Sequence, residues 1–181
     1  MRASRIAVGI FIASFAAVGS SSPYITVYFQ KLGLSLGAIG IFAGLAALCG
    51  LIAAPIWGHL ADQVMGARAA LVATAVLAAL MAAIVGLTDV LAIAVLFAVI
   101  YQLAAAGVAP VLDAYTLDLV PDNRARFARF RVWGSASFVV TVALALFTRA
   151  LPALPLLSAA FLLVNADLLR ERWRAGPSQS E

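Results

Sequence analysis

The sequence is poor in charge, in cysteine and in histidine. Only 11% of its 181 residues are charged, against about a quarter in an ordinary soluble domain, while 65% are hydrophobic and the mean hydropathy is +1.07. A chain of this size cannot bury so much apolar surface in water, which favours a lipid bilayer as its solvent. One cysteine and one histidine exclude a disulfide framework and leave too few ligands for a metal centre, so we expect no metal and no cofactor.

Long apolar runs divide the chain into six candidate membrane spans. A bilayer core about 30 Å thick needs about 20 apolar residues per helix. Each run is predicted to be a helix, because strands cross lipid only in closed barrels and these runs lack the alternation of barrel strands. The predicted spans are 6–29, 36–60, 69–87, 90–115, 132–150 and 152–169. The sequence thus predicts an all-α transmembrane bundle over residues 1–169 and a cytoplasmic tail over 170–181.

The basic residues are distributed unevenly around these spans. The first span begins like a secretory signal, but its apolar run continues to Phe29 and further spans follow, so we interpret it as uncleaved. With the amino terminus inside, ten of the twelve Lys and Arg residues lie on the cytoplasmic side, and only Lys31 and Arg149 lie outside. We therefore expect both termini in the cytoplasm, in a bacterial-type inner membrane. The net charge of +4 is a topology signal and not a nucleic-acid surface.

The first and fourth spans carry similar interruptions. They are "GSSSP" at 19–23 and "GVAP" at 107–110, at similar depths in their spans. The two spans correspond if the bundle is a 3+3 inverted repeat, and paired Gly/Pro interruptions of this kind mark binding sites in transporters. Gly and Pro are also common in membrane helices that have no repeat, which is the alternative interpretation.

The fourth span holds a carboxylate, Asp113. Steps of three and four residues place Asp113, Ala109, Ala106 and Gln102 on one helix face. A carboxylate within a span is costly unless it faces the bundle interior or a wet cavity. We therefore predict that Asp113 and Gln102 line a solute cavity. The alternative is that Asp113 lies in the interfacial region and is simply solvated.

Arg131 opens the fifth span and shares a face with Ser135 and Phe138. A guanidinium, a hydroxyl and an aromatic ring on one stripe can bind a polar ligand. The short connection makes the fourth and fifth spans antiparallel neighbours, so an Asp113–Arg131 pair would lower the cost of both charges. The alternative is an interfacial arginine that snorkels to the cytoplasm.

The connection between the second and third spans reads "GHLADQVMGAR", residues 58–68. Its glycines permit a tight turn, and Asp62 can accept hydrogen bonds from backbone or arginine groups at a neighbouring helix end. We predict a conformational latch, and the alternative is an ordinary polar loop. The residues predicted to form this loop are Gly58, Asp62, Gly66 and Arg68.

These motifs together resemble the major facilitator superfamily. The stretches "PVLDAYTLDLV" and "RFRVWGS" are similar to its sugar-symporter branch, which includes lactose permease, and to the related nucleoside and phenylpropionate permease-like group. In that branch a carboxylate on helix four and an arginine on helix five bind the sugar. Asp113 and Arg131 match those positions with the same separation, and Phe138 stands where the branch has a stacking Trp. The resemblance implies a cavity lined by these residues, to which we add Gln102 and Tyr24.

The sequence also departs from this family. Three residues separate Asp62 from Gly66, where the family has two, and Gln63 and Ala67 occupy positions that are often basic. These changes put the latch in doubt, and Phe138 in place of Trp puts galactoside specificity in doubt. The family has twelve helices in two halves, whereas six are predicted here. The residues that couple transport to protons belong to the second half in the sugar symporters, and nothing here matches them.

The sequence therefore predicts the N-terminal half of a proton-coupled permease for a sugar, a nucleoside or an aromatic acid. It would work beside a second six-helix half or as a homodimer. The alternatives are a six-helix membrane scaffold and a truncated permease without function. An enzymatic alternative, a membrane serine protease that uses Ser135 and His59, rests on elimination alone, so we expect no enzyme activity.

Overall fold

The computed structural model of the chain is helical through most of the part that it describes, residues 2–21, 25–119, 124–148 and 154–174. A π-helical turn, Leu60–Val64, follows the third α-helix. The α-helices are α1 (Arg2–Ser21), α2 (Ile25–Lys31), α3 (Leu36–His59), α4 (Ala67–Leu87), α5 (Leu91–Ala105), α6 (Val108–Leu119), α7 (Arg124–Thr148) and α8 (Leu154–Arg174).

Five helical stretches are long and apolar enough to cross a membrane. A sixth apolar helix, Leu156–Leu168, is shorter. The arrangement confirms an all-helical membrane protein, with α1 and α2 forming the first stretch and α5 and α6 the fourth. The five stretches are Ala7–Lys31, Leu36–Val64, Ala67–Leu87, Leu91–Leu117 and Phe127–Ala145.

The fourth stretch is broken where the sequence reads "GVAP". The amide of Gly107 donates to the Ala104 carbonyl at 3.3 Å, one residue short of the α-helical partner. Pro110 has no amide proton to continue the ladder. The helix therefore ends at Ala105 and a new one, α6, begins at Val108.

Helices α7 and α8 extend beyond their predicted apolar spans. Helix α7 begins at Arg124, so most of the arginine-rich connection is helical, and α8 continues to Arg174 into the stretch predicted as tail. Arginine favours helix about as well as leucine does, and alanine favours it more. Hydropathy therefore locates the part of a helix that lies in lipid and not where the helix ends.

The connection 58–68 is mostly helical as well. Gly58 lies in the last turn of α3. Asp62 lies in the π-helical turn, where the Met65 amide donates to the Leu60 carbonyl at 2.9 Å. The chain changes direction at Gly66, whose φ of +82° is a conformation that side chains with a Cβ rarely adopt. The predicted loop was too long, because a polar sequence does not by itself end a helix.

Helix α1 packs along α7 and α8, while α4 packs along α8 and α5. Helix α3 packs mainly on α5. The outer faces of α3 and α7 are the least buried of the spanning stretches and expose large apolar side chains such as Leu51 and Val139. An apolar exterior of this kind suits a lipid environment.

The core has three clusters along the bundle. The first includes Ile10, Phe11, Leu71, Leu112 and Phe130. The middle cluster is built mainly from alanines, including Ala17, Ala75, Ala78 and Ala104. The last includes Phe29, Ile39, Phe42, Val85 and Ala98. The small side chains of the middle cluster let the helices approach closely.

Candidate solute-binding site

The structure brings the predicted charge pair together. Arg131 Nη1 lies 3.5 Å from Asp113 Oδ2, which joins α7 to α6. The Arg131 side chain is 57% exposed and that of Asp113 is 32% exposed. Both residues lie in helical stretches that are long and apolar enough to span a membrane, Asp113 in Leu91–Leu117 and Arg131 in Phe127–Ala145. Each charge is therefore partly neutralised by the other and remains accessible to a solute.

A cavity of 450 Å³ opens between α1, the α5–α6 break and α7. We call it the aromatic cavity, because two phenylalanine rings form part of a largely apolar wall. The polar side chains in its lining are those of Ser14 and Ser135. Its lining consists of Ser14, Phe15, Val18, Ala105, Val108, Ala109, Leu112, Ser135, Phe138 and Val139. Two of the predicted site residues, Ser135 and Phe138, thus lie in one cavity.

A second cavity, of 290 Å³, adjoins the first between α1, α2, α3 and α5. We call it the polar cavity, because a hydroxyl, a phenol and an amide face it. Its lining consists of Val18, Ser21, Ile25, Phe42, Ala46, Gly50, Tyr101, Gln102, Ala105 and Ala106. Val18 and Ala105 line both cavities, so the two are neighbouring parts of one region.

Gln102 and Ala109, predicted to share a helix face, line different cavities. That prediction assumed one continuous helix. The break at Gly107 lies between the two residues, so the helical periodicity that places them on one face is interrupted. Asp113 and Arg131 belong to neither lining. Each lies one helical turn from a lining residue. Asp113 follows Ala109 on α6, and Arg131 precedes Ser135 on α7.

Trp57 holds the broken helix. Its Nε1 donates to the Leu103 carbonyl at 2.9 Å, an oxygen that the Gly107 amide leaves unbonded by bonding to Ala104 instead. The indole lies directly on Gly107, where a Cβ would be 2.6 Å from Trp57 Cδ1. Sequence reasoning missed Trp57. The sequence signal that could have indicated it is Gly107, because a glycine within a span often marks the close approach of a large side chain.

Two further glycines let α1 and α7 approach each other. A Cβ on Gly19 would lie 2.9 Å from the Phe138 carbonyl oxygen, and a Cβ on Gly134 would lie 2.9 Å from Phe15 Cδ2. This close approach brings the rings of Phe15 and Phe138 into the wall of the aromatic cavity. Phe15, like Ser14, was not predicted as a site residue.

Polar side chains of α8 lie behind both cavities. Ser21 Oγ and Tyr101 Oη are 3.2 Å apart, and Tyr101 Oη is 3.4 Å from Ser158 Oγ. At another level of the bundle, Asn165 Nδ2 donates to Ser14 Oγ at 2.6 Å. Sequence reasoning missed these groups. Their signal was a set of isolated polar residues in apolar spans, which usually face the bundle interior.

The positions of the remaining predicted residues do not test their predicted roles. Asp62 is exposed and Arg68 is partly buried at the start of α4, so the latch remains a prediction. Tyr24 lies outside the described residues. Among the residues that the structure describes, no three His, Cys, Asp or Glu side chains group as a metal site.

Comparison with known proteins identifies the family. Residues 5–169 match the model of the MFS_1 like family, that is, of the major facilitator superfamily. The chain is 30% identical over 129 residues to a maltose permease of Geobacillus stearothermophilus, which covers 71% of this chain and 33% of that protein. It is 44% identical over 69 residues to a multi-drug resistance efflux pump PmrA homolog of Lactococcus lactis, which covers 32% of this chain and 17% of that protein.

The chain therefore spans about a third, or less, of the length of these curated relatives. The family match includes both cavities and all the described helices except the first residues of α1 and the last residues of α8. Together with its membrane-length helices, this match shows that the chain belongs to the major facilitator superfamily of membrane transport permeases.

Proposed function

We propose that this chain is the N-terminal half of a secondary transporter that carries a sugar, a nucleoside or an aromatic acid in symport with protons. The observation that carries the proposal is the partly exposed Asp113–Arg131 pair, one helical turn from the aromatic cavity. An ionised pair in a membrane span is costly and usually has a functional reason.

The pair suits a polar solute because it can exchange partners. A guanidinium gives two parallel hydrogen bonds to a carboxylate or to neighbouring hydroxyls. A solute that binds to Asp113, to Arg131 or to both would also place its less polar face against the rings of Phe15 and Phe138. The similarity to a maltose permease favours sugars among the proposed solutes.

We also propose a 3+3 inverted repeat, in which α1–α2 corresponds to α5–α6, α3 to α7 and α4 to α8. Two packing relations support it. Helix α1 packs on α7 as α5 packs on α3, and α1 packs on α8 as α5 packs on α4. The glycines of the paired interruptions support it too, because Gly19 lies against Phe138 of α7 and Gly107 against Trp57 of α3.

Alternating access requires a second bundle against which this one can move. The chain matches only 33% of the length of the maltose permease, so we propose that the bundle works beside a second six-helix half, or beside a second copy of itself. We place both termini on the cytoplasmic side of the inner membrane, because most of the basic residues would then lie on that side.

Uptake measurements test the role of the charge pair. The full chain, co-produced with its candidate second half where one is found, is assayed in membrane vesicles with radiolabelled maltose, uridine and 3-phenylpropionate. We expect Arg131→Lys and Asp113→Asn each to lower uptake about tenfold or more, since a hydrogen bond to a charged group is worth roughly 1.5–3 kcal/mol. Arg129→Lys, exposed on the same helix and outside both cavities, is the matched control.

Uptake that both site variants leave unchanged would refute the assigned site. An uncoupler that collapses the pH gradient should abolish accumulation if protons drive it. A scaffold protein makes a different prediction. Solute would then give Arg131 no protection from phenylglyoxal, measured by mass spectrometry of the peptide that contains it.

A further inference from the structure

None of the described side chains of α8 belongs to either cavity lining, yet the helix carries buried polar side chains directly behind them. We infer that Asn165 of α8 is a positioning residue that holds the Ser14 hydroxyl as a hydrogen-bond donor to an acceptor oxygen of the solute. Ser14 would then be a solute-binding residue of the aromatic cavity. The inference rests on the proposed transport function and specifies what its site recognises.

The contact between the two residues is short and shielded. Asn165 Nδ2 donates to Ser14 Oγ at 2.6 Å, and the side chains are 0% and 3% exposed. Ser14 also belongs to the lining of the aromatic cavity. Ser14 therefore lies between a fixed amide on one side and the cavity on the other.

Two serines near the end of α1 bond differently. The hydroxyls of Ser20 and Ser21 donate to the carbonyl of Ala17, within their own helix. In the Asn165 bond, Ser14 Oγ is the acceptor, so this bond does not use its proton. A hydroxyl that accepts one hydrogen bond is polarised and becomes a better donor in the next.

The amide itself is incompletely satisfied. Asn165 Oδ1 is buried without a hydrogen-bond partner in the structure. Leaving a buried acceptor unpaired is costly, so an apolar side chain of similar size would be expected here if the position served packing alone. The asparagine is better explained by what its Nδ2 does to Ser14.

The cavity then defines a class of solute. Its wall is apolar apart from the hydroxyls of Ser14 and Ser135, and the rings of Phe15 and Phe138 are part of that wall. A solute with an apolar or flat face and an adjacent ether, hydroxyl or carbonyl oxygen fits this arrangement. A solute that lacks the acceptor oxygen would leave the Ser14 proton unbonded in an apolar cavity, which disfavours its binding.

A double-mutant cycle tests the inference on the full chain in lipid nanodiscs. The probe is 4-nitrophenyl α-maltoside, which has both a ring and acceptor oxygens, and its Kd is measured by equilibrium dialysis. Asn165→Leu and Ser14→Ala should each weaken binding about five- to tenfold, the size expected of one hydrogen bond. The double variant should bind no more weakly than Ser14→Ala alone, because the two residues act through one hydroxyl.

Ser20→Ala is the matched control, because it removes a buried hydroxyl from the same helix outside both cavity linings. Its Kd should equal that of the wild type. A purely structural Asn165 would lower the unfolding midpoint of the protein and leave the Kd of the folded fraction unchanged. An unchanged Kd in Asn165→Leu, or additive losses in the double variant, would overturn the inference.

A solute-free measurement separates this inference from the proposed function. In a Cys49→Ala background, Ser14→Cys should react with N-ethylmaleimide about tenfold or more faster than Ser20→Cys, because only residue 14 faces a cavity. Asn165→Leu should slow the Ser14→Cys reaction several-fold, because a hydrogen bond from Nδ2 stabilises the reactive thiolate. A wild type that binds no probe would count against the proposed function. Equal labelling at the two positions, or no effect of Asn165→Leu, would overturn the inference itself.

Discussion

Replacing Gly107 by alanine should loosen the packing between α3 and α5–α6. The added Cβ would lie 2.6 Å from Trp57 Cδ1 and 2.7 Å from Trp57 Cβ, distances that real structures do not contain. The atoms at fault are at the root of the indole, so a rotation of its far end cannot relieve the clash. Either Trp57 or the helix must move.

The loss of stability caused by Gly107→Ala has two contributions, the overpacking and a lost hydrogen bond. Overpacking a closely packed site typically costs about 1–3 kcal/mol. A displaced indole would also lose the 2.9 Å bond from Nε1 to the Leu103 carbonyl, and interhelical hydrogen bonds in membranes average about 0.6 kcal/mol. We therefore expect Gly107→Ala to lower the free energy of unfolding by about 1.5–3.5 kcal/mol.

Unfolding in mixed micelles, followed by circular dichroism as denaturing detergent is added, measures this loss. Gly44→Ala on α3 is the matched control, because a Cβ there meets nothing within 4 Å. The control should be neutral or stabilising by up to about 1 kcal/mol, as alanine is the better helix former. If Gly107→Ala were as stable as the control, or equally harmful in a Trp57→Gly background, which removes the Cβ and the whole indole, the clash would not be the cause.

Two further predictions concern packing and topology. Gly19→Ala should lower the free energy of unfolding by about 1–3 kcal/mol and also weaken solute binding, because its Cβ would lie 2.9 Å from the carbonyl oxygen of Phe138, a cavity residue. Binding and unfolding measurements together check this, and Gly37→Ala, with open space around its Cβ, is its control. A cysteine at exposed Met65, in a cysteine-free background, should react with an impermeant maleimide only from the cytoplasmic side. Labelling from the opposite side would reverse the proposed orientation.

The pairing of Asp113 with Arg131 could be predicted from the sequence because the cost of a charge in lipid leaves few solutions. A carboxylate and a guanidinium on neighbouring antiparallel spans lower that cost by meeting, and they do meet at 3.5 Å. The membrane-length helices were predictable for a similar reason. Hydropathy over about 20 residues reports the solvent of a helix directly.

The division of the site into two cavities could not be predicted in this way. The face argument that joined Gln102 to Ala109 holds only within an unbroken helix, and the break at Gly107 lies between them. The Ser14–Asn165 contact was equally hidden. It joins residues 151 positions apart, and helical periodicity gives the face on which each residue lies but not the helix that covers it.

The break and the cavities are parts of one arrangement. Trp57 occupies the space that Gly107 leaves open and bonds to the Leu103 carbonyl that the break exposes, so the angle between α5 and α6 depends on a contact with α3. Ala105, at the end of α5, lines both cavities, while Ala109 beyond the break lines the aromatic cavity. Any movement of α3 that changes the Trp57 contact must therefore change the shape of the region between the cavities. This relation ties the position of α3, which packs mainly on α5 and is otherwise largely exposed, to the shape of the site.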